Sequence, residues 1–207
     1  MVNLLIATKN PGKLAEISKM LEDYEDYNNF NLKSLVDCGI DYEVEETKDT
    51  FLDNAKLKAV TYASLSGWPT LADDSGLEID ALNGWPGVHS RRIFGFPKRR
   101  ATDQEAIAEV LKRMQGVPWN KRTAHFTAAV ALALPDGRVW TGSGRLNGYI
   151  AEQAETRIIP GYPYRSLYYL PDCGKISVRV VPEDGCDVGQ HRRLALKALA
   201  PYLKMLK

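Results

Sequence analysis

The chain has 207 residues, 44% hydrophobic and 26% charged, with 27 Lys and Arg against 26 Asp and Glu and a formal net charge of +1. An ordinary globular core is expected, and a charge balance this even argues against a bulk nucleic-acid or membrane binder. No apolar run approaches transmembrane length, Met1–Asn10 lacks a signal-peptide pattern, and Cys38, Cys173 and Cys186 are scattered and odd in number. A cytoplasmic, reduced protein without a disulfide framework or zinc pattern is therefore expected.

Asn3–Ala7 (NLLIA) reads as a buried first strand. Pro11 then opens a helix whose Leu14, Ile17 and Leu21 share one face. The polar stretch DYEDYNNFN reads as a loop. An acidic run from Val44 to Thr50 leads into a second helix, with Thr50 as N-cap and Ala55, Lys58, Ala59 and Tyr62 at helical spacing. Gly67 and Pro69 end it, and Thr70–Ala72 enters Asp73-Asp74-Ser75-Gly76, a sequence with good turn chemistry.

A glycine- and proline-rich loop covers Ala81–Gly95. Thr102 and Glu105 form a capping box ahead of a helix through Met114. Strands Ala124–Leu134 and Arg138–Leu146 flank Pro135-Asp136-Gly137, a hairpin signal. Periodicity assigns nothing to Ile158–Pro182. A last helix spans about Gln190 to Leu203, with Leu194, Leu196, Leu199 and Leu203. Early alternation of helices and strands followed by a hairpin favours an α/β fold with a mixed sheet, in one domain over residues 1–207.

Four stretches carry chemistry, and each has a plain structural alternative. Thr8-Lys9-Asn10-Pro11-Gly12-Lys13 places a helix N-terminus, two hydrogen-bonding side chains and a lysine together, which suits phosphate. It lacks P-loop spacing and also reads as a capped strand-to-helix turn. Glu45-Glu46-Thr47 offers carboxylate oxygens to Mg²⁺, or simply complements a helix dipole. Adjacent Asp73 and Asp74 raise each other's pKa unless a cation neutralises them, so a metal site competes with the turn reading. Gln190-His191-Arg192-Arg193 puts cations at a helix N-terminus, against the dipole, which an anionic ligand would explain; a surface basic cluster is the alternative. The basic residues Arg91-Arg92 and Lys98-Arg99-Arg100 read more simply as a solvated loop than as a nucleic-acid surface.

The order of these motifs says more than any one of them. T-x-N-x-x-K follows the first strand. E-E-T-x-x-x-F-x-x-N-A-x-x-K-A comes next, then L-A-D-D-S-G-L-x-x-D-A-L-x-G-x-P-G-V-x-S, and finally a carboxy-terminal H-R. The series resembles the inosine triphosphate pyrophosphatase (ITPase) family, which hydrolyses non-standard purine nucleoside triphosphates to monophosphate and pyrophosphate. The resemblance is strong through Gly95, remains visible at Arg122-Thr-Ala-His-Phe, and weakens after Leu146. It implies an elongated α/β mixed-sheet sandwich of two lobes around a central cleft, usually a homodimer acting on a purine nucleoside triphosphate, without nucleic-acid or membrane partners. Glu46, Asp73 and Asp74 would hold Mg²⁺, with Asp74 as general base for the attacking water. Thr8, Asn10, Lys13 and Ser75 would meet phosphates, Lys58 matches a family lysine of the same cleft, and His191 and Arg192 would reach the nucleotide.

The family's base-recognition segment G-G-F-G-Y-D-P aligns here with Pro160-Gly161-Tyr162-Pro163-Tyr164-Arg165-Ser166. Tyr162 and Tyr164 keep aromatic character for base contact, but Arg165 stands where the family has an acid. Cys186 and Gln190 replace a family lysine and serine. Arginine only donates hydrogen bonds, so an acceptor-rich or anionic base edge, such as ionised xanthine, or an unprotonated ring nitrogen, as in a 6-aminopurine, would suit it; the plain alternative is that Arg165 points to solvent or phosphate. The leading expectation is a Mg²⁺-dependent nucleoside triphosphate pyrophosphatase with altered base specificity. The alternative is a nucleotide-binding or sensing protein without turnover.

Overall fold

The computed structural model describes residues 1–24, 27–93 and 101–206. Its sheet has the strand order β2-β1-β3-β4-β5-β6-β7. These strands are β1 (Val2–Ile6), β2 (Phe30–Ser34), β3 (Thr70–Ile79), β4 (Thr123–Ala133), β5 (Val139–Ile150), β6 (Tyr168–Leu170) and β7 (Lys175–Ile176). The helices are α1 (Pro11–Leu21), α2 (Phe51–Ser66), α3 (Asp103–Arg113) and α4 (Gln190–Leu203). β1 pairs in parallel with β2 and β3, whereas β6 is antiparallel to β5 and β7. The expected mixed α/β sheet is present.

The elements expected from periodicity and caps form close to their expected ends. Asn10 caps α1, accepting from the amides of Gly12 and Lys13, and Thr50 caps α2. The reciprocal Thr102/Glu105 box starts α3. The β4–β5 turn closes with the Leu134 amide donating to the Arg138 carbonyl at 2.9 Å. Three expectations need correction. Asp73-Asp74-Ser75-Gly76 is not a turn, because β3 runs straight through it. The polar stretch after α1 gives way to β2 at Phe30. Cys173 and Cys186 are joined in a disulfide, while Cys38 is free. Scattered spacing concealed that pairing because two cysteines 13 residues apart come together only once the chain between them has folded. The basic triplet Lys98-Arg99-Arg100, and the last two residues of the expected Ala81–Gly95 loop, lie outside the described residues. No helix among the described residues is long and apolar enough to cross a membrane.

The chain divides into two compact units. The first comprises Met1–Ser75, Ala128–Gly144 and His191–Lys207. In it, Leu4, Ile6, Leu71, Val130 and Leu132 of the strands pack with Ile17, Met20 and Leu21 of α1 and with Ala195, Leu196, Leu199 and Leu203 of α4. α4 rides unusually close to β5. A Cβ added to Gly142 would lie 2.0 Å from the Ala195 carbonyl oxygen, and one added to Gly144 would lie 2.1 Å from that of His191. Only glycine admits so close an approach of helix backbone to strand.

The second unit comprises Gly76–Thr127 and Arg145–Gln190. Its core gathers Leu77 and Ile79 of β3, Ile107 and Val110 of α3, and Tyr164, Leu167 and Tyr168. The Tyr168 hydroxyl reaches the carbonyls of Ala124 and Leu146, at 3.0 and 2.6 Å. The buried Arg122 guanidinium donates to the carbonyls of Ile150, Met114, Val117 and Ala151. Those bonds satisfy a buried cation that would otherwise be costly.

Candidate active site

The acidic motif lies in the first unit and owes its arrangement to strand geometry. Successive residues of a strand point to opposite faces. Asp73 therefore follows Leu71 toward α1 and α4, and Asp74 points the other way, to α2. The two carboxylates that looked like a side-by-side pair are divided by the sheet.

On the first face, the Asp73 carboxylate is fully buried between two cations. Lys13 Nζ lies 2.9 Å from Oδ1, and Arg192 Nε lies 3.2 Å from the same oxygen. Ser75, two residues along β3, donates to Asp73 Oδ1 at 3.3 Å and accepts from Arg192 Nη2 at 3.0 Å. Arg192, 2% exposed, also meets Glu16 at 2.8 Å. Burial alone would raise the Asp73 pKa. Arg192, Lys13 and Lys58 overcome it and hold the carboxyl far below the usual range. Sequence reasoning missed Glu16. Its signal was the three-residue spacing from Lys13, which places both on one face of α1.

On the other face, Lys58 of α2 is the hub. Its ammonium donates to Glu46 and, at 2.7 Å, to the Asp73 backbone carbonyl, and it lies 3.6 Å from Asp74 Oδ1. Burial by itself would lower the Lys58 pKa, but Asp74 and Glu46 outweigh it and push the group up. Asp74 is 6% exposed, and its Oδ2 is buried with no hydrogen-bond partner among the described residues. Burial pushes its pKa up to about 6, against the pull of Lys58 and with help from Glu46. A buried, unsatisfied carboxylate oxygen costs free energy, and such groups concentrate at functional sites.

These placements reassign some expected roles. Thr8 and Asn10 stand beside Lys13, but their oxygens accept from backbone amides of the β1–α1 turn: Asn10 onto Thr8, and Gly12 and Lys13 onto Asn10. His191 is buried at the start of α4, and Arg192 is an internal tie rather than an open arm. Lys13, 19% exposed in its side chain, is the more open cation of the Asp73 face. Among the described residues, no three His, Cys, Asp or Glu side chains converge on a common metal position. The donor chemistry of Glu46 and Asp74, hard oxygens on one side of the strand, fits Mg²⁺, which commonly takes one or two carboxylates and fills its shell with water and phosphate. Asp73 does not fit as a third ligand, since its carboxylate faces the opposite side and is engaged by Lys13 and Arg192.

The residues expected to contact the base lie in the second unit. Pro163–Ser166 forms a short 3-10 helix. Tyr164 is not available for stacking: it is 4% exposed, its ring lies in the core, and its hydroxyl donates to the Ser90 carbonyl at 2.7 Å. Tyr162 and Arg165 are half-buried, and the Arg165 guanidinium sits 4.5 Å from the Tyr162 ring centroid. Cys186, the replacement for the family lysine, is bonded to Cys173.

A mixed α/β sheet carrying a buried acid–lysine cluster on β3 and α2, beside a capped helix entry with a lysine, marks an α/β protein with a charged, buried site. Comparison with known proteins narrows it. The Ham1 family profile matches residues 4–202, and the chain belongs to that family. It is 39% identical over 199 residues to the dITP/XTP pyrophosphatase of Halalkalibacterium halodurans, covering 96% of this chain and 97% of that one. It is 37% identical over 204 residues to the dITP/XTP pyrophosphatase of Bacillus subtilis, covering 99% and 98%. The solved structure of a HAM1 protein from Coxiella burnetii superposes with a TM-score of 0.80 at 32% identity, over 99% of this chain and all of that one. The nucleoside-triphosphatase / dITP/XTP pyrophosphatase of Mycobacterium abscessus gives 0.73 at 35% identity, over 97% and 98%. The resemblance seen in the motifs is thus a family membership.

Proposed function

We propose that this protein is a Mg²⁺-dependent pyrophosphatase that converts a non-standard purine nucleoside triphosphate to its monophosphate and pyrophosphate. The observation that carries the reading is Asp74: a buried carboxylate with an unpartnered oxygen, held near the pKa a general base needs, with Glu46 and Lys58 beside it. Its relatives' names and its sequence motifs point the same way.

Asp74 accepts the proton of the water that attacks the α-phosphorus. Lys58 keeps enough of the base ionised by opposing the effect of burial. Lys13, braced by Asp73, offers an ammonium to the phosphate chain. The Thr8 hydroxyl and the Asn10 amide nitrogen add donors, while the Ser75 hydroxyl spends its proton on Asp73 and so braces the same carboxylate. Arg192 works at one remove: by holding Asp73 it fixes Lys13. Across both faces four carboxylates, Glu16, Glu46, Asp73 and Asp74, balance only three cations, Lys13, Lys58 and Arg192. A triphosphate would meet net repulsion there. Glu46 and Asp74 would hold Mg²⁺, which supplies the missing positive charge and polarises the phosphate oxygens.

Tyr162 stacks on the base, and Arg165 donates to its edge. That pairing suits a base with acceptors or negative charge where the guanidinium meets it. Two copies form the working enzyme, as sedimentation will report.

The test is pyrophosphate release, with and without Mg²⁺, from a panel of nucleoside triphosphates including xanthosine, inosine and 6-aminopurine forms. Monophosphate and pyrophosphate are expected in equal amounts, with no diphosphate intermediate. Asp74→Asn should lose about 10²–10⁴-fold in kcat while nucleotide still binds. Binding without turnover in the wild-type protein, or orthophosphate as first product, overturns the reading.

A further inference from the structure

The loop that presents Tyr162 and Arg165 is fastened at its base by one carboxylate. Asp103 is the first residue of α3, where the positive end of the helix favours it. Its Oδ2 accepts from the Gly161 amide at 2.9 Å. Its Oδ1 accepts from Arg91 Nη1 at 2.7 Å. The same carboxylate thus holds two chain segments together. A second fastening runs parallel to it, from the Tyr164 hydroxyl to the Ser90 carbonyl, one residue before Arg91. Gly161 itself sits at φ +82°, a conformation that commits the chain to turn there and sets the direction in which Tyr162 leaves the turn. The turn closes on the Tyr162 amide donating to the Ile159 carbonyl at 2.9 Å.

We propose that Asp103 is a positioning residue for substrate specificity. It fixes the Gly161 turn and thereby the angle at which the Tyr162–Arg165 pair meets the base. The inference rests on the reading that Tyr162 and Arg165 contact the base. Among the described residues the Asp103 carboxylate bonds to Arg91 and to the Gly161 amide, so its hold is on the backbone one residue before Tyr162. A stacked ring and guanidinium make a planar, directional reader. Tilting it changes which base edge is matched, without touching the acids and lysines of β3 and α2.

Asp103→Ala removes both bonds. Asp103→Asn keeps one carbonyl oxygen that can accept from Gly161, but it loses the charge that pairs with Arg91. Arg91→Met removes the ion pair alone and leaves the Gly161 bond. The measurement is the ratio of kcat/KM for xanthosine triphosphate to that for inosine triphosphate. Asp103→Ala should shift this ratio by about tenfold or more, chiefly through KM, with kcat on the better substrate held within about threefold. Asp103→Asn and Arg91→Met should stay much nearer to wild type. Hydrogen exchange over residues 158–166 should accelerate in Asp103→Ala and less so in Asp103→Asn.

A residue important only for folding would lower both kcat/KM values together and leave the ratio alone; that result overturns the proposal. Arg165→Ala is the control for the underlying reading. If Arg165→Ala moves the ratio and Asp103→Ala does not, the positioning role fails by itself. If neither moves it, base contact by Tyr162 and Arg165 is refuted and the positioning role falls with it.

Discussion

Gly144 tests how firmly the last helix is seated. A methyl group at this position would start 2.1 Å from the His191 carbonyl oxygen and 2.7 Å from the Leu194 Cβ. To bring the first contact out to an ordinary 3.4 Å, the first turn of α4 must retreat by about 1.3 Å. Neither neighbour is the free end of a flexible side chain, so the helix itself has to move. Overpacking of this kind costs about 1–3 kcal/mol. Arg192 lies in the displaced turn. Its bonds to Asp73 and Ser75, at 3.2 and 3.0 Å, stretch beyond hydrogen-bonding range when its backbone moves by that distance. Lys13 then loses the counterpart that shares its carboxylate. Misplacement by about 1 Å can cost on the order of 10²-fold in rate. Urea unfolding and pyrophosphate release on Gly144→Ala measure the two effects separately. Gly142→Ala is the comparison: its methyl would meet the Ala195 carbonyl at 2.0 Å, about one turn further along α4. It should lose similar stability but less activity. Gly144→Ala within about 0.5 kcal/mol and twofold of wild type would refute the close seating.

Other outcomes follow from the same geometry. Burial holds the Tyr168 hydroxyl's pKa above its usual value, so the unfolded chain ionises first as pH rises. Its stabilising contribution is complete below about pH 10 and declines above it. Tyr168→Phe should cost about 1–2 kcal/mol at pH 7 by urea titration, with a gap from wild type that narrows above pH 10; a constant gap would mean the hydroxyl is not the titrating group. The Cys173–Cys186 bond closes a loop of 13-residue separation, worth about 3 kcal/mol in chain entropy. Thermal unfolding with and without a dithiol reductant should therefore differ in wild type and coincide in Cys173→Ser. Equal melting temperatures in the wild-type protein would show that β6–β7 pairing and the Lys175–Asp184 contact already fix that segment without the bond.

Local chemistry along the chain was enough to define the helices and the β4–β5 hairpin. Asn10, Thr50 and the Thr102/Glu105 box start helices through bonds reaching only a few residues, so their meaning is carried in sequence. The motif order was enough to reveal the family. Everything that depended on which face a side chain takes was settled in three dimensions. Asp73 and Asp74 are adjacent in sequence and look like one acidic pair. A two-residue strand period separates them, making one the counter-ion of Lys13 and Arg192 and the other a buried, unsatisfied base. Tyr164 and Tyr162 are two residues apart and equally aromatic, yet a 3-10 turn sends the first into the core and leaves the second beside Arg165. The disulfide, the Asp103–Gly161 bond and the seating of α4 on Gly142 and Gly144 join residues 13 to 58 positions apart. No local propensity encodes such contacts, because their free energy comes from packing that exists only once the sheet and its helices have assembled.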